Sequence, residues 1–111
     1  MKSKLKNISE VIAEANDVFN ASNQSIDTII GILDKALRKQ GMNADAVTID
    51  CIPLNKKIVF LLHDDKENIV DVAFGNKAGD IHSSAEYELS KVTVAAVVAF
   101  MDEAFVVPSM L

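Results

Sequence analysis

The sequence predicts an α+β domain: an N-terminal αα-hairpin, a three- to four-stranded antiparallel meander sheet, and a C-terminal helix packed on that sheet. Three observations predict it. Apolar residues recur at spacings of three and four between Leu5 and Leu37, the period of a helix. They alternate at period two between Val47 and Phe74, the period of a strand. A nearly all-apolar stretch from Val92 to Val107 then closes the chain.

Leu5, Ile8, Ile12, Ala15 and Phe19 share one side of the first predicted helix, with Val11 and Val18 beside them. The polar run Asn20 to Ser25 breaks it. In the second, Ile26, Ile29, Ile30, Leu33 and Leu37 form the stripe. Ser22, Asn23 or Ser25 can cap its free N–H groups. Lys35, Arg38 and Lys39 suit its negative end, and Gly41 suits a left-handed stop.

Val47, Ile49 and Cys51 alternate with Thr48 and Asp50, the pattern of a half-buried strand. Pro53 to Lys56 offers a turn. Ile58 to Leu62 is apolar on both alternating faces, which predicts a central strand covered on both sides. After the polar turn 64–68, Val70, Val72 and Phe74 make a third strand, with Asp71 on its opposite face. The short connections require antiparallel neighbours. Gly75 to Asp80 reads as a further turn. Beyond it, Ser83 and Glu86 have the spacing of a capping box, but Tyr87 and Leu89 alternate with Glu86 and Glu88. The alternation favours a fourth strand over 85–89 and a helix starting near Ser90 or Thr93.

The 111 residues form one domain, 1–111, with no repeat, low-complexity tract or linker. Half the residues are hydrophobic while only five Phe and one Tyr are present, so the core is aliphatic. The longest apolar run, Val94 to Met101, is far short of the ~20 residues that span a bilayer, and no membrane association is expected. The basic start Lys2, Lys4, Lys6 is followed by Glu10, Glu14 and Asp17 instead of the apolar core of a signal peptide. The single cysteine, Cys51, has no internal disulfide partner and suits a reducing compartment, so the expected location is cytoplasmic. Net charge is −5, and residues 41–111 carry five basic against eleven acidic side chains. Such an acidic half repels phosphate backbones, and no nucleic-acid partner is expected.

The candidate chemistry lies in His63, Asp64 and Asp65 together with Asp80 and His82. Histidine and carboxylate suit a metal or an acid–base pair, with His63, Asp65 and His82 the candidate ligands. The two groups fall at opposite ends of the third strand, roughly 20 Å apart at 3.3 Å per residue, whereas one metal needs its ligands within about 2.2 Å. They can meet only across a subunit interface. The run 64–68 lacks EF-hand spacing, and Gly75 to Asp80 lacks the phosphate-loop spacing and its strand–loop–helix context. Cys51 shares a strand face with Val47 and Ile49, which predicts a buried, inert thiol. No catalytic residue and no cofactor is assigned.

The final helix is apolar nearly all round, and such helices are buried all round. A chain of this size has little protein to cover both sides. Val94, Val97, Val98, Met101 and Phe105 are therefore expected to form a self-association interface, most simply of a dimer. The expected role is a small binding or assembly module and not an enzyme. The alternatives are a small metal-dependent or acid–base enzyme with a site completed across the interface, and an acidic chaperone or regulator holding a partner peptide.

Overall fold

The computed structural model describes residues 3–106. Helix α1 (Ser3–Ser22) leads to strand β1 (Ile29–Leu33), a single helical turn α2 (Ala36–Lys39), and strands β2 (Ala44–Cys51), β3 (Lys56–His63), β4 (Ile69–Gly75) and β5 (Ile81–Glu88). Helix α3 (Val94–Phe105) follows. The five strands form one antiparallel sheet in sequence order, so every connection joins neighbours. Residues 107–111, including Val107 at the end of the expected apolar stretch, lie outside the described residues.

The expected αα-hairpin is corrected to one helix followed by a strand. Ile29, Ile30, Gly31, Ile32 and Leu33 pair along β2, from Ile29 opposite Asp50 to Leu33 opposite Ala46. Spacing of three and four is also met by a run dense in isoleucine, and β-branched side chains prefer the pleated surface. Gly31 adds a helix penalty and serves the strand directly. A Cβ there would stand 2.9 Å from the Thr48 hydroxyl across the pair. Only Ala36–Lys39 keeps helical form, and Gly41 still turns at φ +90°. The sheet thus has five strands, one more than the upper expectation, and β5 extends from Ile81 to Glu88. Helix α3 starts where the alternation ends. Thr93 is its N-cap, its hydroxyl accepting a hydrogen bond from the Ala96 N–H at 3.2 Å.

The core lies between the helices and one face of the sheet. Leu5, Ile8, Ile12, Ala15 and Phe19 of α1 meet Val97, Met101 and Phe105 of α3 and every second residue of the inner strands: Val47, Ile49, Cys51, Ile58, Phe60, Leu62, Val70 and Val72. The Phe19 and Phe105 rings pack edge to face at 6.1 Å, and Phe100 stacks on Phe60, Phe74 and Tyr87. Cys51 is a free, buried thiol within this cluster.

Of the five residues expected at an interface on α3, three are buried within the chain. Val97, Met101 and Phe105 are at most 1% exposed, and Val94 and Val98 pack against the same core. Helix α1 covers one flank and the sheet another, leaving Ala95, Ala99, Asp102 and Glu103 outward. A partner cannot reach the buried three without opening the fold.

Candidate functional site

The uncovered surface is the other face of the sheet. With Ile58, Phe60 and Leu62 turned to the helices, the pleat turns Lys57, Val59, Leu61 and His63 away from them. The strand registers place these residues in rows. One row runs Leu33, Ala46, Leu61, Asp71, Glu86. The next runs Gly31, Thr48, Val59, Ala73, Ser84, and a third runs Ile29, Asp50, Lys57, Gly75, Ile81. The middle is apolar or small. Central strand β3 is therefore apolar on both faces, as its sequence indicates, but among the described residues the helices cover only one, although Ala46 and Thr48 on the other are themselves buried. A cavity of about 630 Å³ opens on the uncovered face, bordered by Val59, Leu61, Asp71, Ala73 and Ile81. Ile81 reaches this side through a register shift at Phe74/Gly75 and is 54% exposed.

Charged groups gather at one end. His63 Nε2 lies 3.0 Å from Asp71 Oδ2, a diagonal contact between adjacent strands. Asp71 stands directly opposite Glu86. Lys66, from the β3–β4 turn, donates to Glu86 Oε2 at 2.7 Å. That hydrogen bond and the lysine's charge hold the Glu86 carboxyl below its usual range, and the same bond raises Lys66. Asp71 thus has His63 beside it, and Glu86 has Lys66. Asp71 Oδ1 is nevertheless buried without a hydrogen-bond partner. At the opposite end Lys57 reaches Asp50 across the strands at 3.7 Å, a long ion pair.

The other candidate residues are held apart. Arg38 of α2 grips Asp45 and Asp64 at once, with four contacts of 2.8–3.0 Å that pin the turn after β3 to the start of β2. These two carboxylates raise the already high Arg38 pKa further. Asp65 is exposed in the turn. Asp80 sits in the β4–β5 hairpin, where its Oδ2 accepts from Asn76 at 3.1 Å. His82 borders a separate cavity with Lys56, Phe74 and Glu103, beyond the far end of β4 from His63. The hairpin is a turn in fact. Gly79 lies at φ +99°, and a Cβ on Gly75 would meet the Asp80 carbonyl oxygen at 2.1 Å. Among the described residues, no group of three His, Cys, Asp or Glu side chains is placed to hold a metal.

Sequence reasoning placed Asp71 on the face opposite Val70 and Val72 but missed its meeting with His63, as well as Lys57 and the Lys66–Glu86 pair. These contacts depend on strand register, which brings together residues seven to twenty positions apart in the chain. No described helix is long and apolar enough to cross a membrane. No family model, curated protein or solved structure matches the chain.

A His–Asp pair can hold and move a proton, the elementary step of acid–base chemistry. It can equally serve as the charged lip of a protein interface. The pair stands at the edge of the apolar sheet surface, and Asp71 borders the cavity on it.

Proposed function

We propose that this protein is a binding and assembly module that acts through self-association, with the uncovered sheet face as its contact surface. The observation that carries the reading is this face, with Leu33, Val59, Leu61, Ala73 and Ile81 turned away from the helices. Contiguous apolar surface of this kind marks interaction sites. Five strands about 4.8 Å apart and some seven residues long project on the order of 500 Å². Side-chain relief raises the accessible area toward the roughly 800 Å² per partner of a stable complex. Small residues in the middle row, Gly31 and Ala73, favour close approach of a second sheet, which packs at about 10 Å.

Two substitutions test the surface. Leu61→Glu places a charge in the middle of the face, and Ala99→Glu places one on the outward side of α3, which is exposed. On gel filtration Leu61→Glu is expected to run as a single chain while Ala99→Glu keeps the wild-type assembly. The reverse pattern would move the contact to α3 and overturn the reading.

A further inference from the structure

We propose that the cleft at the end of the sheet, between the last turn of α3, the turn before β3 and the β4–β5 hairpin, binds a small organic anion. Its ligand is a carboxylate or phosphate ester carried on an apolar body. The cleft is distinct from the uncovered face, because α3 and Phe74, which packs against the helix-side core, form part of its wall. The proposal therefore stands apart from the self-association reading.

The backbone builds this cleft by a local departure from the ladder. Phe74 pairs with Ser83 and Gly75 with Ile81, so His82 is the extra residue of a bulge. Regular alternation would send His82 and Ser83 to opposite faces, whereas here both line the cleft. Its volume is about 390 Å³, within the roughly 300–1,000 Å³ of small-molecule sites. Leu54, Phe74 and Ala104 supply apolar wall, and the Phe74 ring is held edge to face on Phe100 at 6.0 Å. Asn55 takes the left-handed conformation at φ +53°, and its Oδ1 accepts from the Lys77 N–H at 3.2 Å, which ties the turn to the hairpin. The amide N–H groups of Asn55 make no hydrogen bond among the described residues and remain as donors.

Charge decides the class of ligand. Residues 41–111 carry five basic against eleven acidic side chains, yet two of the five, Lys56 and Lys57, line this cleft, and Lys77 stands on the hairpin beside it. Glu103 is the one carboxylate among the described lining residues. Lys57 is drawn toward Asp50 at 3.7 Å. Lys56 is half-buried, and among the described residues it has neither an ion pair nor a hydrogen bond, although Glu103 borders the same cleft. A charge partly removed from water without a counterion costs free energy. An oxyanion seated beside Lys56, with Asn55 and Ser83 as further donors, offsets that cost through charge-assisted hydrogen bonds. A cationic ligand would meet the lysines instead.

The test titrates the full chain with four small probes and follows backbone amide shifts by NMR. Benzoate and phenyl phosphate are anions on an apolar ring, benzamide is neutral, and benzamidine is a cation. The two anions are expected to move the amides of His82, Ser83 and Ala104 saturably, and the tighter of them tells which oxyanion the cleft prefers. Benzamide and benzamidine are expected to bind at least about tenfold more weakly. Lys56→Gln is expected to raise the Kd of the anions about tenfold, and Glu103→Gln to lower it, each with the rest of the spectrum unchanged. Benzamide binding as tightly as the anions overturns the proposal, and so does a Kd unaltered by Lys56→Gln. Shifts confined to the uncovered face about Val59 and Leu61, or no saturable shift with either anion, also overturn it and leave the self-association reading standing.

Discussion

Asp71 and Glu86 face each other on adjacent strands, with His63 beside the first and Lys66 beside the second. Glu86 is bound by Lys66 at 2.7 Å, which lowers its pKa from an ordinary value of 4.5. A lowered carboxyl stabilises the fold above its unfolded-state value, and that contribution is lost as pH falls through the lower folded value. Lys66 is raised from 10.5, so its contribution is present below that value and lost as pH rises through the folded one. The bridge therefore acts across the neutral range, weakly, because both side chains are solvent-exposed. In an NMR titration the Glu86 carboxyl is expected to show a midpoint below 4.5, returning toward it in Lys66→Gln. An unshifted midpoint in the wild type would contradict the contact. Glycine carries a second residue-scale prediction. Gly75→Ala drives a methyl into the Asp80 carbonyl and is expected to cost about 1–3 kcal/mol in urea denaturation. Gly79→Ala has open space and only its φ of +99° to oppose it, so it is expected to cost about 1–2 kcal/mol and no more than Gly75→Ala. Equal stability of Gly75→Ala and wild type would contradict the hairpin geometry.

Among the elements, those whose period and composition agree were legible in the sequence. Helix α1 keeps its predicted stripe, and Leu5, Ile8, Ile12, Ala15 and Phe19 are all buried. Strands β2, β3 and β4 follow their alternation, and α3 starts behind Thr93, within the expected boundary. The failure at Ile26 to Leu37 has a physical cause: the isoleucines meet a helical period by density alone, and pairing with β2 outweighs it. A sequence does not show what packs on a helix such as α3. Here α1 and the sheet together enclose Val97, Met101 and Phe105. Phe105→Ala is accordingly expected to cost about 3–5 kcal/mol of folding stability, as removal of a buried aromatic does. Were Phe105 an interface residue, the same change would lower the assembled mass and leave the stability of the single chain nearly untouched. Calorimetry beside a mass measurement separates the two.

At the scale of the molecule, α1 and α3 lie on one side of a five-stranded sheet, and among the described residues the other side has no layer of its own. Two-layer domains bury one face of a sheet and normally make the other polar. This chain departs from that rule in the middle of the face and obeys it at the ends, where His63, Asp71, Glu86, Lys57 and Asp50 stand. An apolar centre with a charged margin is the anatomy of a protein contact. The excess of apolar residues was visible in the sequence. The sequence shows it on α3 and on both faces of β3, but not which of these the chain itself covers.

The most direct measurement is the solution mass by light scattering across a wide range of concentration. The account predicts twice the chain mass, falling to one chain mass on dilution, and one chain mass throughout for Leu61→Glu at an unchanged melting temperature. A wild-type protein with the mass of one chain at every concentration would contradict it.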